Sequence, residues 1–168
     1  MAERQSRFAF EELVALGRNS SANNRPQLPL PPMLMFDAIN AISEKGGAHA
    51  CGQVVATLRI AGNPALNWIF ACHFRGDPVM PGTFGLEAMW QLTGFFLGWL
   101  GGDGRARALG VDQARFTGMV VPNDSNVEYV VDIKRVILRR FRIGVADGLM
   151  KVGGRTVYSA TNLRVGLF

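Results

Sequence analysis

Apolar residues cover almost the whole circumference of one predicted helix, from Thr83 to Leu100. Two strongly polar residues interrupt it, Glu87 and Gln91, and their spacing places both on one face. A helix that is apolar all round is buried in a core or a membrane, and a carboxylate inside it is costly to bury unless it is paired or used. The pattern therefore predicts a central buried helix that carries one functional acid, although a partly exposed Glu87 with no role is the plain alternative.

Alternating apolar positions and turn residues predict the other elements. An amphipathic helix is expected from Ser6 to Leu16, followed by a Pro-rich arm over 18–32. Strands are expected over Met33–Ile42, Cys51–Ile60, Arg105–Phe116, Asn126–Leu138, Arg140–Val152 and Arg155–Val165, with a helical turn at 64–69. Because the helix must be enclosed, these elements predict an α+β fold over 1–168, a single domain in which an antiparallel β-sheet wraps around the long central helix.

Composition narrows the class of protein. A chain of 168 residues suits one domain, and 48% hydrophobic content is enough for a core. The net charge of +5 indicates an acidic partner, which leaves nucleic acid, anionic lipid and an acidic carrier protein open. The two cysteines, Cys51 and Cys72, show no disulfide or metal spacing. Residues 1–20 lack the apolar segment of a signal peptide, so a cytoplasmic location is expected.

A membrane span and a nucleic-acid partner are both disfavoured by the positions of particular residues. The central helix only just reaches the length of a membrane span, and Glu87 and Gln91 interrupt it, so we expect no membrane span. The aromatic residues lie mainly in that helix and not among the arginines, as base stacking would require, so we expect no nucleic-acid partner.

A polar loop directly before the helix supplies the candidate chemistry. It carries His73, and Pro81-Gly82 stands at the helix start, where backbone N–H groups are free and the helix dipole is positive. A histidine, an acid and a helix N-terminus are the parts of an acid–base site with a hole for a carbonyl oxygen. The alternative is a histidine that only makes surface or structural hydrogen bonds.

Basic residues are concentrated in the last predicted strands. This group consists of Lys134, Arg135, Arg139, Arg140, Arg142 and Arg164. Basic residues at such positions either lie on ordinary solvated strand faces or form a patch that binds an acidic partner.

The chain resembles a known family in these motifs. The run CHFRGDPVMPG (72–82), followed by GLEAMWQLTGFFLGWLGG (85–102), is similar to the β-hydroxydecanoyl-acyl carrier protein dehydratase/isomerases of bacterial fatty acid synthesis. The similarity extends over most of the chain, through QLPLPPMLMFD (27–37), ARALG (106–110), RFTGMVVP (115–122), IKRVILRR (133–140), ADG (146–148) and the final LRVGLF.

The resemblance implies a hot-dog fold and a homodimer with two active sites at the subunit interface. Each site would take His73 from one chain and the acid at position 87 from the other. The implied partner is acyl carrier protein bearing a phosphopantetheine-linked acyl chain, and its acidity would suit the basic group. No metal and no organic cofactor is implied, because the thioester carbonyl itself serves as the electron sink.

The resemblance also implies individual roles. His73 matches the catalytic histidine, Gly82 the glycine whose N–H polarises the thioester carbonyl, and Val79 the residue whose carbonyl orients the imidazole. Pro81 and Cys72 are expected beside the substrate, although a core or backbone role suits Cys72 better than nucleophilic chemistry. Gln91 either holds the Glu87 carboxylate or satisfies a buried backbone group. The carrier-protein patch would comprise Lys134, Arg135, Arg139, Arg140 and Arg164.

Three positions depart from the dehydratase/isomerase pattern. Glu87 stands where that branch has Asp and where the non-isomerising sister branch has Glu, while Thr83 replaces Cys and Phe84 replaces Leu. The expected reaction is dehydration of a medium-chain β-hydroxyacyl-acyl carrier protein, about decanoyl in length, to the trans-α,β-enoyl product, with isomerisation to the cis-β,γ product. The alternatives are a dehydratase without isomerase activity, a hot-dog thioesterase, and a non-catalytic subunit that binds acyl carrier protein.

Overall fold

The computed structural model describes residues 4–19, 28–139 and 142–168. Residues 20–27 of the predicted arm, and Arg140 of the predicted patch, lie outside the described residues. The helices are α1 (Phe10–Arg18), α2 (Asn67–Cys72) and α3 (Gly82–Trp99), with a 3₁₀ turn at Pro64–Leu66. The strands are β1 (Ala38–Ser43), β2 (Gln53–Arg59), β3 (Ala106–Gly110), β4 (Gln113–Phe116), β5 (Asn126–Leu138), β6 (Arg142–Val152) and β7 (Arg155–Leu167).

Within the described ranges the strands form one antiparallel sheet. Its order is β1-β2-β5-β6-β7-β3, and β4 also pairs with β7. The long strand β7 therefore pairs with two short strands along the same edge. Strand β3 pairs with its C-terminal end, with Ala106 opposite Leu167, and β4 pairs nearer its N-terminal end, with Phe116 opposite Tyr158. Strands β5, β6 and β7 follow one another as a meander.

Helix α3 packs across the sheet and forms the centre of the core, with Ala88, Leu92 and Phe95 fully buried. The helix and the sheet approach closely at Gly85, where an added Cβ would lie 2.6 Å from the Met150 sulfur. The predicted α+β hot-dog architecture, an antiparallel sheet around one central helix, is confirmed. In the described part of the chain, no helix combines the length and the apolar content that a membrane span requires.

Four element predictions need correction. The strand predicted over 105–116 is two strands, β3 and β4, because the ladder breaks at Val111–Asp112, where the Asp112 side chain accepts hydrogen bonds from Asn162 and Arg164. The strand predicted from Met33 begins only at Ala38, since the backbone at 33–35 bonds to a helix side chain and not to a strand.

The other two corrections concern the two small helices. Helix α1 begins at Phe10, later than predicted, where the Glu12 carboxylate accepts the Ala9 N–H at 2.8 Å, and it continues to Arg18. The helical turn predicted at 64–69 extends through α2 to Cys72, so that His73 lies immediately after a helix.

Candidate active site

The His73 imidazole is held by the backbone of its own loop. Nδ1 lies 2.9 Å from the Val79 carbonyl oxygen, and the Val79 N–H donates to the His73 carbonyl at 2.9 Å. Phe74 and Asp77 exchange two further backbone bonds that close the loop between them. A carbonyl oxygen only accepts, so Nδ1 carries the hydrogen and Nε2 of the neutral ring keeps a free lone pair. The loop therefore presents a base with one fixed orientation.

The same loop leads directly into the N-terminus of α3. The Met80 N–H donates to the Val120 carbonyl at 2.9 Å, which anchors the segment before the helix. Pro81 is half-buried at the N-cap, and the first bond of the helix runs from Phe84 N–H to the Pro81 carbonyl at 3.0 Å. The N–H groups of Gly82 and Thr83 therefore point out of the helix end, as the first N–H groups of any helix do. Such groups can stabilise negative charge on a carbonyl oxygen.

The Glu87 carboxylate is half-buried and is held by Gln91. The Gln91 Nε2 donates to Glu87 Oε1 at 3.0 Å and to the Met33 carbonyl at 2.8 Å, while its Oε1 accepts the Met35 N–H at 3.2 Å. Both roles considered for Gln91 are present together, because it bonds the carboxylate and satisfies backbone groups. Only 8% of Gln91 is exposed, so the acid is attached through a buried amide to the segment before β1.

Glu87 opens onto a cleft of about 490 Å³. The rest of its lining consists of Leu28, Pro29, Trp90, Gln91, Arg105, Ala106, Arg107, Ala108 and Val165. His73 is not among these residues. Within one chain, the structure brings His73 together with Val79 and the helix start, whereas Glu87 faces a cleft between the arm and β3.

Cys72 corrects one expectation. It is exposed at the end of α2, so of the two expected roles the core one is wrong. The backbone role is present, because its sulfur lies 3.7 Å from the Ile69 carbonyl oxygen. The side of α2 that faces the core is instead occupied by Ile69, which is 1% exposed. Among the residues described, no three His, Cys, Asp or Glu side chains cluster closely enough to hold a metal ion.

The predicted carrier-protein patch divides into two parts. Lys134 lies 3.4 Å from an Asp147 oxygen, and Arg164 pairs with Asp112 at 2.5 Å. The Arg164 guanidinium, followed by the Asn162 amide, holds the pKa of Asp112 below its ordinary value. Arg135 and Arg139 are exposed and make no ion pair with any described residue.

Two aromatic contacts at the site have no signal in the sequence. The Phe74 ring, exposed at 58%, stacks on the imidazole of His73 with centroids 4.2 Å apart. Phe116 lies against Gly82 at the start of α3. The second contact joins residues that are distant in the chain, so no local pattern could have indicated it.

A family model described as a FabA-like domain matches residues 28–161. Among solved structures, the chain is similar to a dehydratase heterocomplex, ApeI:P from Xenorhabdus doucetiae, with a TM-score of 0.61 and 16% identity over 86% of this chain and 88% of that one.

The fold is also similar to that of two thioesterases. One, from Haemophilus influenzae, has a TM-score of 0.58 and 16% identity over 100% of this chain and 95% of that one. The other, a mutant enzyme from Pseudomonas aeruginosa, has a TM-score of 0.58 and 15% identity over 99% and 98%. At such identities these likenesses show a shared fold, and one fold can serve several reactions.

Proposed function

We propose that this chain, which belongs to the FabA-like domain family, dehydrates a β-hydroxyacyl thioester presented by acyl carrier protein. One observation carries the proposal. The bond from His73 Nδ1 to the Val79 carbonyl leaves Nε2 as a base, in a loop that leads straight to a helix N-terminus. A base beside donors for a carbonyl oxygen suits removal of a proton next to a thioester.

The proposed reaction begins at the α-carbon. The thioester oxygen accepts a hydrogen bond from the Gly82 N–H, which stabilises the negative charge that develops as His73 Nε2 removes the α-proton. The β-hydroxyl is bound by Glu87, directly or through a water molecule, and leaves as water with a proton delivered through that carboxyl group. The α–β double bond forms as the carbon–oxygen bond breaks. The imidazolium proton then returns to the carboxylate before the next turnover.

Isomerisation would use the same two groups. A proton would leave the γ-carbon and another would be added at the α-carbon, which moves the double bond to the cis-β,γ position. Glu87 is one methylene longer than the Asp of the isomerising branch, and a misplacement of ~1 Å can cost ~10²-fold in rate. We therefore expect Glu87→Asp to maintain or raise the share of cis product. A fall in that share would mean that Glu87 is fitted to its own site.

A homodimer with shared sites accounts for the separate positions of the two groups. Glu87 faces a cleft that His73 does not line, so the acid of one chain would meet the imidazole of the other. Strand β3, which lines that cleft, is paired with β7 on one side and lies at the end of the sheet. A second copy would then complete each site.

The acyl carrier protein is proposed to dock at Arg135 and Arg139. Lys134 and Arg164 already have carboxylate partners. Arg135 and Arg139 are exposed and form no ion pair within 4–19, 28–139 and 142–168, and the exposed apolar Leu138 lies between them in the sequence. Charge reversal at Arg135 should lower the affinity for the carrier, and the loss should be largest at low salt, where the charges are least screened. Charge reversal at Arg155, which is exposed at the other end of the meander, is the matched control. Equal losses in both variants would contradict this docking surface.

A cytoplasmic location fits the proposed partner.

The test of the reaction is a product analysis. The protein is incubated with β-hydroxydecanoyl-acyl carrier protein, and the trans-α,β and cis-β,γ decenoyl products are resolved. Both products mean a dehydratase/isomerase, and trans product alone means a dehydratase. Release of free carrier thiol instead would indicate a thioesterase, and carrier binding without either reaction would indicate a binding subunit. His73→Ala should abolish turnover and leave the fold intact.

A further inference from the structure

Phe116 lies directly against Gly82, the first residue of α3. A Cβ atom added at Gly82 would lie 2.5 and 2.6 Å from two carbons of the Phe116 ring, and all three heavy atoms nearest to it belong to that ring. Gly82 does not adopt a left-handed φ. Glycine is therefore required here by the space that the ring occupies, not by backbone conformation.

Several contacts fix the ring at this place. Phe116 is the register partner of Tyr158 in the β4–β7 ladder, and the two rings meet edge to face with centroids 5.0 Å apart. Tyr158 is buried, and its hydroxyl lies 3.4 Å from the Met80 carbonyl, a long contact. The Thr117 N–H also bonds to the Val157 carbonyl at 2.8 Å. The segment before α3 and the strand that carries Phe116 are thus joined through Tyr158.

We infer that Phe116 is a positioning residue for the thioester carbonyl, an inference that rests on the proposed function. The ring covers one side of the first helical turn, so a carbonyl oxygen reaches the Gly82 N–H from the uncovered side. Water is excluded from the covered side, and a hydrogen bond to developing negative charge is stronger where water is excluded. The ring thereby orients the carbonyl and strengthens its bond to Gly82.

The exposure of Phe116 supports a role beyond folding. The residue is 51% exposed, so its burial contributes only part of what a fully buried aromatic side chain contributes. The open face of the ring is apolar and lies beside the helix start. The α- and β-carbons of the acyl group pack on that face while the carbonyl points to the N–H.

The experiment compares three substitutions with a control in the dehydration assay. Phe116→Ala and Phe116→Leu are expected to lower kcat between about 10-fold and 100-fold, with KM changed less than about threefold, because the carbonyl is misplaced in the transition state. Phe116→Tyr keeps the ring and should retain most of the activity. Met119→Ala is the control, since Met119 is exposed at 65% in the same segment and is not among the nearest neighbours of Gly82.

The outcomes separate this inference from the proposed function. Wild-type kcat in Phe116→Ala, or a rise in KM alone, overturns the positioning role and leaves the dehydratase intact. Absence of dehydration in both the wild type and Met119→Ala overturns the proposed function and this inference with it. If Phe116→Ala does not fold, Phe116→Leu decides.

The contact itself is tested without turnover, by thermal melting. Gly82→Ala should lower Tm because its methyl group collides with the ring. Adding Phe116→Ala should recover part of that loss, since the space is then free. Additive losses in the double variant would contradict the contact.

Discussion

Two inactive variants, His73→Ala and Glu87→Gln, are expected to restore each other when their subunits are mixed. In a symmetric dimer with shared sites, each site takes the imidazole from one chain and the carboxylate from the other. A mixed dimer then has one site that carries both substitutions and one site that carries neither. The second site should turn over at the wild-type rate.

The expected size of the effect follows from this arrangement. Glu87 lines the cleft between the arm and β3, and His73 does not, so each chain is expected to supply one group to each site. Random reassociation of equal amounts gives mixed dimers in about half of the population, each with one intact site of two. The mixture should therefore show about one quarter of the wild-type activity per chain.

The assay is dehydration of β-hydroxydecanoyl-acyl carrier protein after joint unfolding and refolding of the two variants. A mixture of wild type with the doubly substituted chain is the control, and it should retain about one quarter of the activity, because no mixed dimer then has an intact site. If the two variants stay inactive together, and the control mixture keeps about one half, both groups act within one chain. That result would refute the shared site.

Three further predictions concern stability. Gln91→Leu removes three hydrogen bonds and leaves the N–H of the fully buried Met35 unpaired, so urea denaturation should show a loss of about 1–3 kcal/mol. The Tyr129 hydroxyl is buried without a partner among the described residues. Tyr129→Phe should therefore leave the free energy of unfolding unchanged or raise it by up to about 1 kcal/mol. A clear fall in the free energy of unfolding would mean that the hydroxyl has a hydrogen-bond partner. The Arg164 guanidinium and the Asn162 amide lower the pKa of Asp112 from its ordinary value of 3.8. The stabilisation that the ionised Asp112 carboxylate contributes is therefore present above pH 3.8 and is lost as the pH falls through the pKa of the folded state. The urea midpoints of Asp112→Asn and the wild type should differ at pH 6 and converge in acid.

The parts of the fold with a regular local pattern were predictable. The limits predicted for β5, Asn126–Leu138, agree with the structure because alternate residues face the core along its first half. The predicted limits of α3 differ by one residue at each end, since a continuous apolar segment between Gly/Pro-rich loops leaves little choice. The two glycines at 153–154, both with positive φ, form the hairpin turn that their position predicts.

The parts that depend on distant residues were not predictable. Met35 is 56 residues from Gln91, and the apolar residues around it indicate a strand although its N–H bonds to a side chain. The break between β3 and β4 depends on the bonds that Asp112 accepts across the sheet. The site shows the same division, because the motif around His73 and Gly82 is local, whereas the Phe116 ring comes from a strand further along the chain.

The order of the strands in the sheet has a consequence for how the chain folds. In the β5–β6–β7 meander, each strand pairs with the next one in the sequence. In contrast, β2 pairs with β5, with Gln53 opposite Asp132, and this pairing closes a long loop that contains α3. Local pairings form faster than those that close a long loop. We expect the meander to be structured in the transition state for folding and the β2–β5 ladder to form after it. Truncation of buried Met150 in the meander should therefore slow folding, and truncation of buried Val54 in β2 should mainly speed unfolding.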